Sequence, residues 1–245
     1  MGSTSTHTTA RLRRTILAAA EAAIRETGFG PLTFEDVATR AEVEASVVRE
    51  HFPDKDALIR GLSAEFVVQM RTVTDQSTGA GIWKGAAARD VIEVAVRSVL
   101  DVVLERKELV RTLLAQGSND PALVADLREI GTHLSSRLIA VLKECTNVPA
   151  RPSRALAFSL LMAAGLAHHR VMVGDGWSGV AFSKEQLAEE AARMIAAYLG
   201  LQPTISFVDD SPDAARTTSI AAAIPDDAPT EMVAAITTSE IEVVK

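Results

Sequence analysis

From Leu12 to Tyr198 the apolar residues return every three or four positions, and they never alternate long enough to make a strand. That period commits the chain to helices packed on helices. Leu12, Ile16, Leu17, Ala20, Ala23 and Ile24 share one face of a first helix over residues 11–27, which Gly28 stops. Thr33 caps a short second helix, with Asp36 at the reciprocal capping-box position. A break at Ala41-Glu42-Val43 leads into a third short helix ending near Phe52. Pro53 and Asp54 open a longer helix bearing Leu58, Leu62, Phe66, Met70 and Val73.

A linker over 79–85 is followed by a long helix with Ile92, Val96, Val99 and Val103 inward, breaking around Arg106 before Leu109, Leu113 and Leu114. Asn119-Asp120-Pro121 starts the next helix, with an acidic cap and proline at the first helical position; it runs to near Asn147 and Pro149. Ser153 opens a helix so apolar around its circumference that burial on several sides is expected. After a loop at 174–179, Ser183-Lys184-Glu185-Gln186 caps a last amphipathic helix that Gly200 stops. The expectation is an all-α chain of about nine helices, an amino-terminal three-helix unit plus a larger helical body. From Pro203 no helical face lasts more than a turn or two, so 203–245 is expected to be mostly disordered.

Composition narrows the setting. With 47% hydrophobic residues among 245, the chain has room for one large or two small domains. The single cysteine, Cys145, excludes an intrachain disulfide and a cysteine-rich zinc site, and suits a reducing cytosol. The longest nearly uncharged apolar run, 155–167, falls short of the roughly 20 residues that cross a bilayer, so a cytoplasmic protein without a membrane partner is expected. The net charge of −7 is concentrated in the tail, where two basic and eight acidic residues give −6, leaving −1 for residues 1–202. The acid-free start with Arg11, Arg13 and Arg14 has a targeting composition, but Glu21 and Arg25 spoil its apolar core. Residues 1–6 also fit the myristoylation pattern, as Ser/Thr-rich starts do by chance.

Two short helices joined by three residues make a helix-turn-helix, whose second member can enter a major groove about 12 Å wide. The run Ile16 to Ala20, then Gly28, Thr33, Asp36-Val37-Ala38, Ala41, Val43 and His51-Phe52-x-x-Lys55-x-x-Leu58 resembles the amino-terminal domain of TetR-family transcriptional regulators. The resemblance implies a homodimeric repressor of a palindromic DNA operator. It also implies release by a small apolar or amphipathic effector and dimerisation through the last two helices. Its domains here are 1–53 (arm and helix-turn-helix), 54–202 (effector binding and dimerisation) and the tail 203–245.

On that resemblance, Thr33 heads a phosphate-holding helix N-terminus and Lys55 clamps a phosphate. Glu44, Ala45, Ser46, Val47 and Arg49 occupy the reading part of the third helix, with Arg49 the best guanine reader; His51 touches backbone or packs on Phe52. Arg11, Arg13 and Arg14 form a flexible arm for phosphate or minor groove. Three positions depart from the family pattern: Glu42 replaces a turn glycine, Glu44 a capping serine and Arg49 a phosphate-binding tyrosine. With eight basic and nine acidic residues over 1–60, the alternative is a DNA-silent member of the fold serving as a partner- or ligand-binding module.

Candidate effector contacts are Phe66, Met70, Trp83, Leu113, His133, Phe158 and Met162, each of which core packing explains as well. His168 and His169 point about 100° apart on a helix, and Glu129 with His133 makes an incomplete pair, so neither forms a metal site unaided. No cofactor is called for. No phosphate loop, nucleophile elbow or spaced nucleophile and base supports an enzyme.

Overall fold

The computed structural model describes residues 3–79, 81–146, 152–174 and 181–201. They contain α1 (Ser3–Thr27), α2 (Phe34–Ala41), α3 (Ala45–His51), α4 (Lys55–Ser77), α5 (Ala88–Glu105), α6 (Lys107–Gly117), α7 (Pro121–Leu142), α8 (Pro152–Met172) and α9 (Lys184–Tyr198). The fold is all-α, as the periodicity requires. Among the described residues one isolated parallel bridge, Ala87 with Thr146, pins the α4–α5 linker to the segment after α7. The expected helix end near Asn147 and Pro149, most of the loop expected over 174–179 and the tail from Pro203 lie outside the described residues.

Local chemistry sets the helix ends. Thr33 and Asp36 form the expected capping box, and Ser183 with Gln186 forms a second. Asp54 and Asp120 each accept a backbone N–H at the start of α4 and α7. Arg106 ends α5 and begins α6, where the break was expected. α1 starts at Ser3 rather than Arg11, because residues 3–10 contain neither proline nor glycine. Arg11, Arg13 and Arg14 therefore ride on a helix and form no flexible arm.

Two apolar cores share the body. One joins α1–α4 to α6 and the start of α7; its fully excluded side chains include Ile16, Leu17, Phe52, Leu58 and Leu62. The other joins α5, the second half of α7, α8 and α9 around Val91, Ile92, Leu138 and Ile195. The division between the two cores runs across α5 and α7. α4 is bound along α7: Arg60 pairs with the α7 cap Asp120 at 2.7 Å, Ser63 donates to Asp126 at 2.6 Å and Arg71 pairs with Glu129 at 2.8 Å.

α8 departs from its expected burial. Among its described side chains only Leu156, Ser159 and Val171 are buried. Phe158, Leu161 and Met162 are 47, 67 and 46% exposed, and Phe158 lies 5.3 Å from the ring of Tyr198 on α9, itself 56% exposed. Helical period reports that a side chain is apolar, not whether another chain must cover it. By length and composition Arg154–Met172 is also long and apolar enough to cross a membrane, so the short count over 155–167 undervalued it.

Candidate nucleic-acid interface and ligand cavity

α2 and α3 meet through a turn that Glu42 makes in the left-handed region (φ 56°), the only non-glycine residue to do so among those described. The Val43 N–H then returns to the Ala38 carbonyl at 3.0 Å. The glycine expected from the family pattern would hold this conformation without the steric cost that a Cβ incurs. Glu44 caps α3 by position only; its side chain accepts no cap hydrogen bond.

α3 presents Ser46 and Arg49 to solvent, with Ala45, Val47 and His51 half-buried beside them and Val48 and Phe52 locked in the core. Arg49 reaches back to Glu35 on α2 at 2.5 Å and lies 5.6 Å from the Phe34 ring. That pairing holds the Glu35 carboxyl below the usual carboxylate range. Both partners are more than half exposed, so the pair is one that a phosphate or guanine can replace at small cost. Sequence spacing did not reveal this competitor, because Glu35 and Arg49 meet only when the turn folds.

Thr33 spends its hydroxyl within the capping box: it donates to Asp36 at 2.5 Å and accepts the Asp36 N–H at 3.1 Å. The Thr33 hydrogen bonds depress the Asp36 pKa. A carboxylate thus already stands at the helix terminus where a phosphate was expected. Lys55 donates to the Gly30 carbonyl at 3.0 Å, 5.7 Å from the Phe29 ring, and ties α4 to the α1–α2 turn. Arg13 lies 4.3 Å over the Phe52 ring and donates to the carbonyl of His51 at 3.4 Å, at the end of α3.

Residues 16–62 match the sequence profile of the bacterial regulatory proteins of the tetR family. Those residues are similar to the amino-terminal domain of TetR-family regulators. Three solved structures share the fold. They are a transcriptional regulator from Rhodococcus (20% identity, 77% of this chain and 96% of that one, TM-score 0.61), a TetR transcription regulator from Haloarcula marismortui (16%, 78% and 97%, 0.61), and a TetR-family regulator from Thermus thermophilus (14%, 76% and 97%, 0.53). No curated protein matches the sequence.

Behind this TetR-type head, a cavity of about 260 Å³ lies on the seam between the two cores. Phe66 and Met70 of α4 form part of its wall, with Val96, Leu100 and Val103 of α5, Val110 and Leu114 of α6, Leu127, Ile130 and Leu134 of α7, and Leu160, Ala163 and Ala167 of α8. Of the sequence candidates, Phe66 and Met70 line it and the others lie elsewhere. Leu113 is core; Trp83 packs on the second core and donates to the Ser77 carbonyl at 2.8 Å. His133 lies on the outer α4–α7 surface, 3.0 Å from Asp75, and Phe158 and Met162 are on the exposed α8 face. Among the described residues no three metal-ligating side chains gather.

Arg106 connects cavity and head, although its role was not legible in the sequence. Its guanidinium forks onto both carboxylate oxygens of Glu21 on α1, at 2.6 and 2.5 Å, and donates to Gln69 on α4. It also lies 5.4 Å from the ring of Phe66, a cavity wall. Both charged partners are mostly buried, so the pair holds one geometry.

Proposed function

We propose that this protein is a homodimeric repressor of the TetR family, released from a palindromic operator when a small apolar or amphipathic molecule enters the α4–α8 cavity. The observation that carries the reading is the conjunction in one chain of an exposed α3 on a closed core with an apolar cavity whose wall residue Phe66 meets Arg106, itself paired with Glu21 of α1. In the bound state Ser46, Val47, Ala45 and Arg49 face base edges while Thr33, Lys55 and His51 meet backbone. Arg49 gives up Glu35 for guanine, and Glu44 accepts from cytosine.

The exposed apolar side chains of α8 and α9 support dimerisation: Phe158, Leu161, Met162, Met194 and Tyr198 stand uncovered, and exposed apolar patches mark interaction surfaces. Paired through these side chains, two α3 helices must stand about 34–36 Å apart to enter successive major grooves. A guest in the cavity pushes on α5 and α6, whose junction is Arg106, and Arg106 carries the displacement to α1. The ligand thereby favours a dimer of another spacing.

The acids at Glu35, Glu42 and Glu44 favour one second reading, a head that no longer binds DNA and serves a protein partner. Gel retardation of the DNA upstream of the chain's own gene separates the two. Salt-sensitive retardation, weakened in Arg49→Ala and Lys55→Ala, is the expected result. Absence of retardation at low salt, or retardation indifferent to both variants, contradicts it.

A further inference from the structure

Three residues of the cavity wall are exposed while every other lining residue is at least half-buried: Gly131 on α7, and Ala164 and His168 on α8. They mark an opening between the two helices. Gly131 has no structural reason to be glycine. It lies inside α7 with an ordinary helical backbone, and a Cβ built on it would meet nothing within 4 Å. Glycine is the poorest helix former after proline, so packing and propensity both favour a larger residue. What glycine provides is room at the opening. Ala164 provides the same on the facing helix.

The interior is aliphatic apart from Phe66, and it offers no carboxylate, lysine or arginine. An ion entering it would surrender its hydration without a partner. His168 supplies one imidazole at the rim, which in its neutral form donates one hydrogen bond and accepts another. The volume of about 260 Å³ lies below the roughly 300–1,000 Å³ of sites for drug-sized ligands.

We propose that the opening framed by Gly131, Ala164 and His168 is the ligand portal, and that the cavity takes a small, neutral, mainly aliphatic molecule whose single oxygen group rests on His168. The apolar side chains proposed for dimerisation reach α9 through the Phe158–Tyr198 contact, whereas the portal faces α7. Phe158 and Met162 thus stand on the α9 flank of α8, while Leu161, three and seven residues before Ala164 and His168, stands on the portal side. The proposal rests on the cavity being the effector site.

Calorimetric titration of the full chain at pH 8 with 1-octanol, octanoate and octyltrimethylammonium tests it. 1-Octanol is expected to bind at least tenfold more tightly than either ion. Gly131→Leu and Ala164→Leu each block it without lowering the melting temperature, and His168→Leu weakens it by about three- to tenfold, the worth of one hydrogen bond. Equal binding of an ion, no uptake of any probe, or unchanged octanol binding in both portal variants overturns the proposal. DNA retention by the same preparations is scored separately. A chain that retains DNA but takes up no probe loses only the portal, and one that takes up octanol but retains no DNA loses only the operator reading.

Discussion

Around Ile16, Phe52 and Leu62 the core is fully excluded from water, whereas α7 and α8 frame a cavity with an opening and α8 carries uncovered apolar side chains. Two glycines express the contrast. A Cβ on Gly61 would stand 2.7 Å from the Phe52 ring and 3.1 Å from Leu17, so α4 reaches the head only because nothing projects there. A Cβ on Gly131 would meet nothing. Close packing fixes the head, which must present α3 in one orientation. Looser packing around the cavity leaves room for the guest proposed above.

The largest effect should come from opening the closed region. Phe52→Ala is expected to cost about 3–5 kcal/mol in denaturant unfolding, as large-to-small changes in dry cores do. Leu160→Ala, at a wall that already faces empty space, should cost clearly less; equal losses would erase the contrast. Gly61→Ala follows, with a loss of about 1–3 kcal/mol from overpacking. Gly131→Ala should instead gain up to about 1 kcal/mol in the same measurement. A loss at Gly131 would mean that the body is as tightly packed as the head.

On DNA, Arg49→Ala should weaken binding by roughly 5- to 150-fold, the worth of about 1–3 kcal/mol for a bidentate base contact, and relax preference at one base pair. Fluorescence anisotropy against a site and its single-base variants checks this. Glu42→Gly should raise stability by about 0.5–1 kcal/mol by relieving the left-handed turn, and should tighten DNA binding by removing an acid. A loss of stability would show that the Glu42 side chain holds the turn.

The smallest effect concerns pH. The carboxyls of Asp36 and Glu35 titrate below their ordinary values of 3.8 and 4.5 in the folded head. The support that Asp36 gives the α2 cap, and the pairing of Glu35 with Arg49, are complete above those values and fade as pH falls through the lower folded ones. Asp36→Asn should flatten that acid limb in a pH series of melting temperatures. An unchanged limb would remove the cap from the account.

Local features were legible in the sequence because their causes are local. Asp120 before Pro121, Ser183 three residues before Gln186, and Thr33 with Asp36 mark helix starts through hydrogen bonds spanning a single turn. The head was legible as well, since its spacing repeats a known pattern. Partners distant along the chain were not. Arg49 with Glu35 and Arg106 with Glu21 meet only after the helices pack, and no periodicity foretells either. Phe158 and Met162 illustrate a different limit: they read as lining residues because they are apolar, yet their helix turns them outward. Gly131 gave no signal, for a missing side chain becomes informative only once its surroundings are known.

Hydroxyl-radical footprinting on a duplex selected by this protein from random sequence tests the central claim most directly. The account predicts two protected patches related by a twofold axis and centred about 10–10.5 base pairs apart. Both should disappear together when Arg49 and Lys55 are replaced by alanine. A single patch, two patches at an unrelated spacing, or protection that survives both replacements would contradict it.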